Sequence, residues 1–191
     1  MLKFTTQTAS NQEPMRRYVF IDFDGVLNTE RHHSELVSSG QICSDQYGPL
    51  FDPVAVGNLK RIVDETETEV VIISSWKLEG VERMMELWKA RKMPGVLAGC
   101  TPDCISGMDL LNINLEDPAA VANLAGKGNE VKQWLKENAP KKTEGYRYVI
   151  LDDVPDFLPE QEKYFIQADP RVGITEEEAD KAIEILKTTY I

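Results

Sequence analysis

Apolar residues along the chain fall into two kinds of run. Short unbroken stretches rich in β-branched and aromatic residues read as buried strands: YVFID (18–22), EVVIIS (69–74), VLAGC (96–100), YRYVILD (146–152) and YFIQA (164–168). Between them lie stretches with apolar residues at helical spacing. Ala55, Leu59, Ile62 and Val63 mark a helix over 54–66, and Val81, Met84, Met85 and Trp88 mark another over 79–91, ended by Pro94 and Gly95. Val131, Trp134 and Leu135 mark a third over 129–138. A fourth opens at Thr175 with a capping box closed by Glu178, its apolar face being Ala179, Ala182, Ile183 and Leu186. Residues 1–14 carry no period and are expected to form a flexible tail, leaving one domain over 15–191. Residues 28–53 and 101–128 read as irregular, the first as a small flap or insertion and the second as a further small cover.

Apolar strands alternating with amphipathic helices predict an α/β fold: a three-layer, Rossmann-like sandwich around a mainly parallel sheet, with a minimal cap. In such sheets ligands bind beyond the carboxyl ends of the strands, near the point where strand order reverses. Those ends are where polar groups collect here. The first strand runs into Asp22-Phe23-Asp24-Gly25, the second into Ser74-Ser75-Trp76-Lys77 and the fourth into Asp152-Asp153, with Asp156 just beyond. Lys127 precedes the third helix.

Charge at the end of a buried strand is costly unless something balances it. Crowded carboxylates repel one another, and a hard divalent cation relieves the repulsion. Mg²⁺ takes oxygen ligands and keeps several waters, so two or three carboxylates and a carbonyl suffice. A remaining carboxylate can then act as nucleophile while a hydroxyl and an ammonium hold phosphoryl oxygens. Together these parts describe phosphoryl transfer through an aspartyl-phosphate.

Competing readings are weaker. Asp-x-Asp-Gly could be a turn with an Asx bond or part of a calcium loop; the calcium-loop pattern fails because no third oxygen ligand precedes the glycine. His32, His33, Cys43, Cys100 and Cys104 match no zinc spacing. Trp76 reads as a packed aromatic near the site rather than a platform for a substrate ring. A net charge of −11 argues against coating nucleic acid, though not against a local basic pocket for one phosphate. Three cysteines, no signal-like start and no long apolar run predict a cytoplasmic protein with reduced thiols and no membrane partner.

The motifs FIDFDGVLN, VVIISSW, Lys127 and VILDDVPD resemble the four signature motifs of the haloacid dehalogenase (HAD) superfamily of phosphohydrolases. SSW, GKGNEVKQWL, YVILDD and DPRVGIT together look like the HAD domains associated with multi-domain (Swiss army knife) RNA-repair proteins, in which the tryptophan is commonly followed by arginine where this chain has Lys77. The resemblance implies roles. Asp22 would be the nucleophile and Asp24 the acid–base, with Gly25 allowing backbone amides near the phosphate. Ser74, or Ser75 one residue on, would bind a phosphoryl oxygen, and Lys127 would neutralise charge. Asp22, the Asp24 carbonyl, Asp152 and Asp153 would hold Mg²⁺, with Asp156 as a helper. The expected activity is a Mg²⁺-dependent phosphatase acting on a phosphomonoester, either a small molecule or a nucleic-acid end. A catalytically inactive binding module and a phosphotransferase are the alternatives.

Overall fold

The computed structural model describes residues 15–103, 126–140 and 145–188. The expected 1–14 tail and most of the expected 101–128 irregular segment lie outside the described residues. Five strands form one sheet: β1 (Arg16–Ile21), β4 (Glu69–Ile72), β5 (Leu97–Cys100), β6 (Tyr146–Asp152) and β7 (Phe165–Gln167). Their order is β5-β4-β1-β6-β7, and every pairing is parallel. The chain builds outward from β1 on one side through β4 and β5, then crosses back to β6 and β7. Strand order therefore reverses at β1, which places the expected crevice at that strand's carboxyl end.

Alternation along β1 separates two cores. Val19 and Ile21 face the side covered by α2 (Pro53–Thr66), α3 (Val81–Ala90) and α5 (Glu176–Lys187). Tyr18 and Phe20 face α4 (Lys127–Asn138), where Trp134 meets both rings edge-on at 5.0 and 5.4 Å. With both faces covered, the central strands are apolar over their buried stretches, Tyr18–Ile21, Val70–Ile72 and Tyr148–Leu151, which is why those stretches appear in the sequence as unbroken runs. The α/β three-layer class is as expected.

The region 28–53, expected to be loop, contains a helix, α1 (Glu30–Ser38), and a short hairpin of β2 (Ser44–Asp45) and β3 (Gly48–Pro49). Thr29 caps α1 by accepting from the His32 amide at 3.2 Å. No residue of α1 is buried, so its sequence carries no core-facing stripe to reveal it. Asp52 anchors the excursion to the core: it accepts from Thr29 Oγ1 and from Arg31, each at 2.8 Å, and caps α2 through the Val54 amide. Burial alone would raise the Asp52 carboxyl, but these donors outweigh it and hold the group below its usual range.

Helix α4 begins at Lys127, two residues before its apolar stripe suggests. Its cap comes from a distant loop: the Asp156 carboxylate accepts from the Lys127 amide at 3.1 Å, and the Asp156 carbonyl from the Gly128 amide at 3.0 Å. Asp156, expected as a helper at the site, thus serves as a helix cap that fixes where Lys127 stands.

Candidate active site at the carboxyl edge of the sheet

Asp22 follows the last residue of β1 and is buried; its amide donates to the Leu151 carbonyl of β6 at 3.0 Å. One of its carboxylate oxygens accepts from the Phe23 amide at 2.6 Å, and the other is paired with the Lys127 ammonium. Lys127 also donates to Asp152 Oδ2 at 2.7 Å. Asp152 ends β6 and is fully buried; its second oxygen accepts from the Val154 amide at 2.9 Å. Asp153 completes the group: Asp22, Asp152 and Asp153 each offer an oxygen, all within 4.8 Å of one another.

Three carboxylates share one ammonium, and the electrostatics reflect that imbalance. Burial, then the charge on Asp22, push the Asp152 carboxyl up to about 6 despite the pull of Lys127. Burial and Asp22 raise Asp153 as well. Burial opposes the charge on Lys127, but Asp22 and Asp152 overcome it, and the ammonium holds its proton more tightly than usual. A cluster of hard oxygen donors with surplus negative charge fits a hard divalent cation, and Mg²⁺ is such an ion. Among the described residues this is the one group of three or more ligating side chains close enough to hold a metal. His32, His33, Cys43 and Cys100 form no such group, and Cys104 lies outside the described residues.

Gly25 has a φ of +72°, and a Cβ there would lie 2.6 Å from the Asp153 carboxyl carbon. The glycine is therefore required twice, for the turn and for close approach of the two strand ends. Asp24 is exposed, and both of its oxygens are occupied: Asn28 donates to one at 2.6 Å and the Trp76 indole to the other at 2.9 Å. Both donors escaped the sequence reading. Asn28 lies only four residues away in a loop, and Trp76 read as simple packing.

Ser74 and Ser75 follow β4, just beyond the Ile21–Ile72 pair. Ser74 is fully buried and caps a 3-10 turn (Ser75–Glu79) by accepting from the Trp76 amide, whereas Ser75 is exposed. Among the described residues, no hydrogen bond joins either serine to the carboxylate group. Lys77 is almost wholly buried and paired with Glu130, which also accepts from the Thr101 hydroxyl at 3.0 Å. This pair ties the end of β4 to the first turn of α4, the turn that carries Lys127. Glu130 gave no sequence signal beyond a charge in a helix.

Beside Gly25 and Asn28 a cleft of about 510 Å³ opens along α1 toward His33, Ser34 and Pro170. His33 is exposed there, and His32 is half-buried. Among the described residues, no helix is long and apolar enough to cross a membrane.

No curated protein and no solved structure matches the chain. Over residues 18–179 the chain matches the family described as the HAD domain in Swiss Army Knife RNA repair proteins, and it belongs to that family.

Proposed function

We propose that the protein is a Mg²⁺-dependent phosphomonoester hydrolase that works through an aspartyl-phosphate on Asp22. Support comes chiefly from one observation: Lys127 bridges Asp22 and Asp152 while Asp153 lies close enough for the three carboxylates to share a cation. Asp22, Asp152, Asp153 and the Asp24 carbonyl would hold Mg²⁺, which when bound screens negative charge between enzyme and phosphate.

An Asp22 oxygen attacks phosphorus, and the bond from phosphorus to the ester oxygen breaks. Asp24 gives its proton to that oxygen, releasing the alcohol. Asp24, now a carboxylate, takes a proton from water as the water's oxygen attacks the phosphorus of the aspartyl-phosphate. The bond to Asp22 breaks, leaving inorganic phosphate and the original carboxylate. Net, an ester and a water give an alcohol and a phosphate. Lys127 offsets charge on Asp22 and the phosphoryl oxygens, and a hydroxyl of the Ser74–Ser75 pair donates to one of those oxygens. The amides of the Gly25 turn, expected near the phosphate, are engaged within the loop instead: Gly25 donates to the Asn28 carbonyl at 2.9 Å, and Leu27 and Asn28 donate to the Phe23 carbonyl.

Among the described residues, the flap of α1 and the hairpin is by itself too small to form a closed chamber. That favours an exposed terminal phosphate, and the family's description makes RNA ends a substrate class to assay. The test is hydrolysis of p-nitrophenyl phosphate and of 3′- and 5′-phosphorylated oligoribonucleotides, with Mg²⁺ and with chelator. Metal-dependent turnover, lost in Asp22→Asn, is expected. Turnover that persists in Asp22→Asn, or no turnover of any of these esters, would overturn the proposal.

A further inference from the structure

Asp24 is exposed, and an exposed carboxylate is normally free to turn about two side-chain bonds. Here each oxygen has its own donor. Asn28 belongs to the same loop, whose Gly25 amide donates to the Asn28 carbonyl at 2.9 Å, so its bond to Asp24 moves with the loop. Trp76 comes from outside, on the turn that follows the neighbouring strand β4, and its indole N–H reaches Asp24 Oδ2 at 2.9 Å.

The indole is braced on its other sides. Phe23 meets it edge-on at 5.4 Å, and Phe51 lies 5.9 Å away. Arg91 reaches both rings, its guanidinium 4.3 Å from the Phe51 ring centre and 5.8 Å from that of Trp76. The hairpin closes the last side. Gly48 has a φ of +119°, and a Cβ there would fall 2.8 Å from Trp76 Cη2, so only bare backbone fits against the ring. Arg91 fixes the hairpin in that position by donating to Asp45 and to the Gly48 carbonyl, at 2.7 and 3.0 Å.

We infer that Trp76 is a positioning residue for the proton-transferring carboxylate, and that hairpin, Arg91 and indole form a brace holding Asp24 toward the ester oxygen. The inference rests on the hydrolase reading above. Asp24 does its work as the phosphorus–oxygen bond breaks and its proton passes to the departing oxygen. A poor leaving group depends on that proton; nitrophenolate departs with little help. Misplacing Asp24 therefore penalises alkyl esters selectively.

The experiment uses the full chain and Trp76→Phe, which keeps an aromatic ring but removes the N–H donor, together with the outer-ring atoms that pack on Gly48. kcat/KM is measured for p-nitrophenyl phosphate and for a simple alkyl phosphate, because this ratio covers steps only through leaving-group departure. The alkyl ester is expected to lose about 10- to 100-fold and the nitrophenyl ester less than about threefold. A purely structural tryptophan would lower both equally, so equal losses, or none, overturn the inference. A second measurement reads the contact without turnover. Of the indole N–H resonances from Trp76, Trp88 and Trp134, the one deleted by Trp76→Phe is expected to shift in Asp24→Ala while the other two stay. An unmoved resonance refutes the contact. Absence of wild-type turnover on both esters and on the phosphorylated oligoribonucleotides removes the hydrolase reading and the catalytic role of the brace with it, while the resonance still reports the hydrogen bond.

Discussion

Replacing Asp152 by asparagine should stabilise the metal-free protein, although it removes one partner of a buried ion pair. Asp152 is fully buried, and its carboxyl sits at about 6 in the folded state against an ordinary 3.8. A carboxyl raised by folding holds its proton more tightly in the native state. Its contribution is intact below the unfolded value of 3.8, falls as pH rises toward 6, and stays lost above that. At about 1.4 kcal/mol per pH unit the penalty above pH 6 is about 3 kcal/mol, with the attraction of Lys127 already included. Asparagine escapes that penalty, but its amide N–H₂ must face either Lys127 or the Val154 amide, which costs about 1 kcal/mol. The net gain above pH 6 is about 2 kcal/mol, a rise in Tm of about 4–8 °C for a chain of this size. Thermal melts of both proteins in chelator, from pH 4.5 to 8, check this. Their difference cancels the titrating groups remote from the cluster, and should be near zero at pH 4.5 and grow to a plateau above pH 6. Added Mg²⁺ should raise the wild-type Tm more than that of Asp152→Asn. A difference that does not change with pH, or wild type the more stable at pH 7.5, would refute the charge-imbalance reasoning.

Lys127→Met leaves Asp22 and Asp152 facing each other without their shared cation. It should cost about 3–5 kcal/mol at pH 7.5 in chelator, recover part of that at pH 5, and abolish turnover, as read by urea denaturation at the two pH values and by phosphate release. Gly173→Ala puts a Cβ 2.3 Å from the Val26 carbonyl oxygen at a φ of +67°, and should cost about 3 kcal/mol in urea; a loss below about 1 kcal/mol would show that the Val26 loop yields freely. Asp156→Ala removes the carboxylate cap of α4 and should cost about 1 kcal/mol in the same assay, with activity falling further than in an exposed control such as Glu160→Ala because Lys127 loses its anchor.

The sequence disclosed those parts of the fold that are buried in a regular way. Strands β1, β4 and β6 show as apolar runs over their buried residues because both faces of the sheet are covered, and α2, α4 and α5 carry stripes at helical spacing because each buries one face. Helix α1 buries nothing and left no stripe. The site was legible to the extent that its groups end strands: Asp22, Asp152 and Asp153 follow directly from topology. What stayed hidden is tertiary. That Asp156 caps a helix nearly thirty residues earlier, that Glu130 buries the charge of Lys77, and that an indole reaches Asp24 all depend on side chains meeting across elements. No local pattern records such meetings.

The central position of β1 also sets a hierarchy of motion around the candidate site. The Asp22 amide is bonded to β6, and the Ile73 amide to the Ile21 carbonyl, between two covered faces of the sheet. Amide hydrogens there should exchange with solvent only when the whole domain unfolds, on the slowest timescale the chain possesses. Those of α1, which has no buried residue, should exchange through small local openings and orders of magnitude sooner. The cleft beside Gly25 is thus walled by a compliant helix, while the strand end that carries Asp22 nearby yields only with the whole domain.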